Sequence, residues 1–221
     1  MAYAADPLHP GLFRPVVEPG IVAEPGAAFS LNVEWNGERA SAGGTVPPPI
    51  RIMSAEIVVP DEPVSAVLLD SLLLSDSLAV GAYKGFIYPI EVTLTWEPVD
   101  DPGAEFWVRA QLRPYSGFSS TVVDFFLRSE AIFPEDGSSA NDSGDRTWTG
   151  VYAVGVNAGD EPVPEHNLRV AIIRSGRDYA RFASSRDTPE RREPLSNLDG
   201  AIGIFTAISV DSTRIRVGAA R

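Results

Sequence analysis

"IEVTLTWEPVDDPGAEFWVRAQL", residues Ile90–Leu112, decides the architecture. Ile90, Val92, Leu94 and Trp96 alternate with Glu91, Thr93, Thr95 and Glu97, the period of two that sends successive side chains to opposite faces of a strand. Asp100-Asp101-Pro102-Gly103 follows, a run suited to a turn because proline presets φ, aspartate bonds its own backbone and glycine accepts positive φ. Phe106 to Leu112 then runs back. The stretch is predicted to be an antiparallel pair with one dry face and one wet face.

The same rhythm extends in both directions. Nineteen prolines and nineteen glycines separate short apolar segments, as in an all-β chain. Ala28–Trp35 alternates, reaches Asn36-Gly37 and continues into Glu38–Ser41. Asn-Gly between strand-like runs predicts a hairpin, since both residues accept the positive φ of a type I′ turn. The returning strand is expected to stop at Pro47-Pro48-Pro49, which lack the N–H groups that a ladder needs. Val64–Val80 is rich in leucine but interrupted by Ser71, Ser75 and Ser77, so short strands are favoured over a helix. Val122–Phe133 reads as a strand pair or a long bent strand, and Thr147–Asn157 and Leu168–Arg174 as two more strands. One helix is expected, over Gly176–Arg186, with Tyr179 and Phe182 on one face.

Near the end, Ala201–Ile208 ("AIGIFTAI") carries apolar or small groups without polar alternation. It is predicted to be a strand covered on both faces, by the opposite sheet and by the helix, burying Ile202, Ile204, Phe205 and Ile208. Thr213–Val217 alternates again as a last strand. The expected fold is an all-β, Ig-like antiparallel β-sandwich. Residues 1–60 are assigned to a small N-terminal β module, 61–85 to a linker or short strands, and 86–221 to the main sandwich with its short helix.

With 221 residues, 44% of them hydrophobic, the chain can bury a substantial core. Its formal charge of −12 disfavours nucleic acid and anionic lipid as partners, because phosphate binding needs a basic surface. Lys84 is the single lysine beside seventeen arginines. This bias fits a GC-rich genome or a setting where excess carboxylate maintains solubility. With no cysteine, disulfides, thiol nucleophiles and cysteine-ligated metals are excluded. No apolar run approaches the roughly 20 residues of a membrane helix. Met1–Asp6 shows no basic region followed by an apolar one, which leaves a cytoplasmic chain or an export signal outside this sequence.

Motifs of catalysis are missing. His9 and His166 sit in proline-flanked loops without evident partners. There is no Gly-x-Ser-x-Gly elbow, phosphate loop or dinucleotide fingerprint, and Asp100 and Asp101 suit a turn. In "PEDGSSANDSGD", Pro134–Asp145, the oxygens of Asp136, Asn141, Asp142 and Asp145 lie near Gly137 and Gly144. Calcium favours such hard ligands on tight turns, which makes Asp136, Asp142 and Asp145 candidate ligands, although the spacing is not that of an EF-hand. A solvated loop is the alternative, and no other cofactor is expected. Trp96, Trp107, Trp148 and Tyr152 could stack on a sugar. Alternation assigns Trp96 to the core, and turns Trp107 away from Phe106, Val108 and Leu112 to lie beside Arg109 and Arg113. Those three residues are the candidate partner or ligand surface.

The order of four segments resembles the β-rich lipoproteins of gram-negative envelopes, grouped as a domain of unknown function (four-two-four-nine) and found beside TonB-dependent transporters. The segments are Glu24–Gly37 with Thr45–Ile50, Ile90–Leu112, the aromatic helix "RDYARFASS" at Arg177–Ser185, and "EPLSNLDGAIGIFTAIS" at Glu193–Ser209. The resemblance runs from about residue 10 onward. It implies the periplasm or outer-membrane surface, and a non-enzymatic binding or assembly module that is accessory to a larger membrane complex. The alternative it implies is a lipoprotein capturing glycan or peptide for a transporter. Members begin with a lipoprotein signal and a fuller Ig-like domain, so this chain is expected to be a shortened form.

Overall fold

The computed structural model describes residues 3–5, 7–8, 13–15, 24–65, 85–99, 106–115, 132–135, 146–186 and 195–218. Its strands in chain order are β1 (Tyr3–Ala5), β2 (Phe13–Pro15), β3 (Ala28–Trp35), β4 (Glu38–Thr45), β5 (Ile52–Val58), β6 (Val64–Ser65), β7 (Phe86–Trp96), β8 (Phe106–Tyr115), β9 (Ile132–Pro134), β10 (Arg146–Val156), β11 (His166–Gly176) and β12 (Ile208–Val217). One helix, α1 (Arg177–Arg186), separates the last two.

Two antiparallel sheets face each other. Sheet I runs β10-β7-β5, with β6 also on β7, and sheet II runs β12-β11-β8-β9. Ile90–Leu112 is not the antiparallel pair expected from its sequence: β7 and β8 stand in opposite sheets, and their alternating apolar residues face one another across the core. Ile90, Val92, Leu94 and Trp96 of β7 are fully buried, as are Val108, Ala110 and Leu112 of β8, and they meet Leu168, Val170 and Ile172 of β11 in one core. The fold is therefore the expected all-β antiparallel sandwich. Tyr152 is buried in that core and Trp148 packs against it, so neither of these aromatics is a surface group.

The helix follows β11 directly, and Asp178 in its first turn complements the positive end of the helix dipole. It packs across β11, β9 and β8 and buries Ala180 and Ala183. The outward-facing Ala171, Ile173 and Ser175 of β11 are buried as well.

β3 and β4 form a separate two-stranded sheet. Trp35 pairs with Glu38, and Asn36 (φ 51°) and Gly37 (φ 85°) make the two-residue turn. β4 ends at Thr45, just before the three prolines. One boundary moves: β5 lies within the span assigned to the N-terminal module, yet it pairs with β7 and is a strand of the main sandwich. Ile52, Ala55 and Ile57 pack against the core, and polar bonds add a second link to the opposite sheet. Ile50 N donates to Ser209 Oγ at 3.0 Å, and Ile52 N to Asp211 Oδ2 at 2.8 Å, which joins β5 to β12.

The closing segment corrects the sequence expectation. Residues 201–207 are not a strand, and one continuous strand, β12, begins only at Ile208. Ile202 is 64% exposed and Ile208 43%, while Ile204 and Phe205 are half-buried. The cause is side-chain capture of the backbone. Asn197 Oδ1 accepts from Phe205 N, and Asn197 Nδ2 donates to Phe205 O, both at 2.9 Å. Ser196 Oγ accepts from Leu198 N and Gly203 N. Gly200 takes φ 79°, and a Cβ there would stand 2.2 Å from Arg39 O. The resulting loop docks on the hairpin: Ser41 and Asp199 exchange both backbone hydrogen bonds, and the Phe205 ring meets Phe29 edge-on at 5.3 Å.

Candidate functional site

The outer face of sheet II carries a distinctive charge pattern. Because cross-strand partners share a face, the register settles which residues lie side by side. Arg169 of β11 stands opposite Arg113 of β8 and opposite Arg214 of β12. Their chain neighbours Leu112, Leu168 and Val170 are buried in the core and Ile215 packs against it, so the three arginines point outward, and all three are exposed. Adjacent strands lie about 4.8 Å apart, so these residues form a straight row of three cations.

One row toward the strand ends are Tyr115, Asn167 and Arg216; on the other side are Gln111, Ala171 and Ser212, then Arg109, Ile173 and Val210. The outward positions of the three strands thus hold Arg109, Arg113, Arg169, Arg214 and Arg216 but no carboxylate, in a chain with 30 acidic residues. Arg216 pairs with Glu165 at 2.6 Å. Among the described residues, no carboxylate lies within ion-pair distance of Arg169 or Arg214. Like charges set directly opposite each other destabilise a sheet, so the Arg169–Arg214 pair costs stability that an anionic ligand would restore.

The sequence-derived surface divides across this face. Trp107, Arg109 and Arg113 share the outward side of β8, as alternation required. Trp107 and Arg109 are half-buried, and Arg109 Nη1 lies 3.5 Å from Tyr179 Oη of the helix. Arg113 stands opposite Arg169 in the row and also donates to Leu112 O at 3.4 Å. Arg169, Arg214, Asn167 and Tyr115 were not anticipated, because only strand register brings them together. The candidate calcium ligands Asp136, Asp142 and Asp145 lie outside the described residues.

Two other polar clusters are interior. Arg174 and Glu135 form an ion pair with both side chains 1% exposed. Arg174 Nε and Nη2 donate to the two Glu135 oxygens at 2.7 Å, while the guanidinium also donates to Pro49 O and to Glu97 O. Trp96 Nε1 donates to Glu135 Oε1 at 3.1 Å. Every donor found here faces an acceptor within the fold, which marks the cluster as a fastening between the sheets.

The second cluster is Tyr152 and His166. His166 is not the loop residue expected but the first residue of β11, and it is 3% exposed. Its Nδ1 lies 2.7 Å from Pro164 O, and its Nε2 lies 2.7 Å from Tyr152 Oη. A carbonyl can only accept, so Nδ1 carries the proton and Nε2 accepts from the phenol. Burial pushes the Tyr152 phenol up and the His166 imidazole below its ordinary 6.5, the latter partly opposed by the Pro164 carbonyl. The folded protein thus resists a proton that the unfolded chain accepts near pH 6.5. His166's contribution to stability is complete above that pH and is expected to be lost as pH falls below it. Urea midpoints at pH 7.5 and 5.0 should differ more in wild type than in His166→Gln; equal differences would remove His166 as the cause.

A groove of about 520 Å³ beside the β3–β4 hairpin is lined by Asn32, Glu34, Arg39, Ser41 and Asp199, among others. There Arg39 pairs with Glu34 at 3.2 Å, leaving mixed charge and no oriented set. Among the described residues, no helix is long and apolar enough to cross a membrane. No family model matches the chain, and no curated protein or solved structure matches it.

Proposed function

We propose that this chain is a non-enzymatic binding module of a bacterial envelope, and that its working surface is the outer face of sheet II, where an anionic partner docks. Arg169 and Arg214, side by side on strands whose outward positions hold no carboxylate, carry this reading. The envelope setting is supported by the order of sequence motifs. A chain of charge −12 should not adhere to a cation exchanger at pH 7 unless one face gathers positive potential locally. Wild type is expected to be retained at about 0.01 M salt, where the Debye length is about 30 Å, and released near 0.1 M, where it is about 10 Å. Arg169→Glu/Arg214→Glu should flow through. Wild type flowing through at low salt would end the proposal.

A second reading, assembly onto a larger complex by strand addition, is favoured by β3, which pairs with β4 alone among the described residues. The edge of β4 already carries the Asp199 bridge. An added partner strand would therefore lie along β3.

A further inference from the structure

We infer that the strand added along β3 is the β3 of a second copy of this chain, an inference that deepens the strand-addition reading above and rests on it. One contact fixes the direction of every backbone group in the hairpin. Ser41 exchanges both backbone hydrogen bonds with Asp199, so its N–H and C=O point away from β3. In an antiparallel pair, opposite residues alternate between bonding each other and facing outward. Asn32, opposite Ser41, therefore faces outward too, and so do Ala28, Ser30 and Glu34. Among the described residues nothing but β4 pairs with β3, which leaves those groups along an open edge. Edge strands are ordinarily blunted by lysine, proline or a bulge. Ala28–Trp35 contains neither lysine nor proline, and its register on β4 is unbroken.

The edge is complementary to itself. Two antiparallel copies bond only through their outward residues, so even numbers stand opposite even numbers and odd opposite odd. The register centred on Leu31 pairs every outward residue, Ala28 with Glu34 and Ser30 with Asn32 of the second copy, each twice by the two-fold symmetry. The next register on either side sets Ala28 against Asn36 or Glu34 against Gly26, both of which take positive φ and lie outside the strand. Centred on Leu31, the pairing places that residue against its own counterpart and Phe29 against Val33, while each Glu34 faces an alanine and no carboxylate opposes another. Phe29, Leu31 and Val33 already share a face with Gly44, Ala42 and Ala40. Joining two two-stranded sheets thus makes one sheet, β4-β3-β3-β4, with a continuous apolar face. A lone hairpin is marginal in water, and a wider sheet with such a face is not.

Analytical ultracentrifugation and cross-linking of the full chain test this. Wild type should sediment as a dimer that dissociates on dilution. Asn32→Pro removes an N–H that β4 does not use, once from each copy, and should weaken the dimer about tenfold or more with an unchanged circular dichroism spectrum. The chain has no cysteine, so Leu31→Cys should lock the dimer through one intermolecular disulfide on mild oxidation, its counterpart lying within disulfide range across the axis. Val33→Cys, set opposite Phe29, should not. The cross-link decides alone if the proline variant fails to fold. A synthetic peptide of residues 28–35 probes the edge separately. A chain that stays monomeric and gives no Leu31→Cys cross-link, yet binds the peptide, overturns self-pairing and leaves strand addition standing. If the peptide does not bind either, both fall. A dimer that Asn32→Pro leaves intact and Leu31→Cys does not lock is assembled through another surface, and the inference is overturned.

Discussion

Arg174→Ala is expected to destabilise the protein by about 3–5 kcal/mol, the cost of leaving a buried charge without its partner. Glu135 would keep a carboxylate in a site where its side chain is 1% exposed, and the carbonyls of Pro49 and Glu97 would lose a donor. The substituted pair Arg174→Met/Glu135→Leu should recover part of that loss, since apolar groups of similar volume often replace a buried ion pair without penalty. Recovery should stay incomplete because Trp96 Nε1 donates to Glu135 and would have no acceptor. Urea unfolding of the single and double variants measures the coupling directly. An Arg174→Ala midpoint near wild type would mean that water reaches the pair.

Leu94→Ala should cost about 2–5 kcal/mol, and Thr93→Ala, one residue earlier, under about 1 kcal/mol. Leu94 is fully buried on the central strand of sheet I, between β5 and β10, where a cavity has little room to collapse. Thr93 points to the opposite face, and its hydroxyl lies 2.9 Å from that of Thr149. Matched denaturant melts should separate the neighbours by several-fold in lost stability. Equal losses would mean that β7 is not one-sided.

That contrast was legible in the sequence because a period of two is a local property. So were the Asn36-Gly37 turn, whose conformation few other dipeptides adopt, and the helix after Gly176. Residues 201–207 misled because their apolar composition resembles a two-sided strand. The opposing signals were Ser196 and Asn197, whose side chains compete for nearby backbone groups, and Gly203 inside the expected strand. The arginine row was hidden for a different reason. Arg113, Arg169 and Arg214 become neighbours only through two strand registers, and nothing local to any of them fixes either register. The Arg174–Glu135 pair was obscured in the same way: two charged residues read as surface until the strands carrying them are placed.

The two bonds joining β5 to β12 each span 159 residues, and the β3–β4 hairpin docks on Asp199 and Phe205. On a ribosome adding about 5–20 residues per second, the hairpin emerges on the order of ten to thirty seconds before the segment that receives it. For that interval Phe29 lacks its aromatic partner and the amides of Ile50 and Ile52 lack their acceptors. Residues 29–52 thus fold against residues 199–211. Such long-range closure slows folding, and the hairpin stays undocked until residues 199–211 have been synthesised.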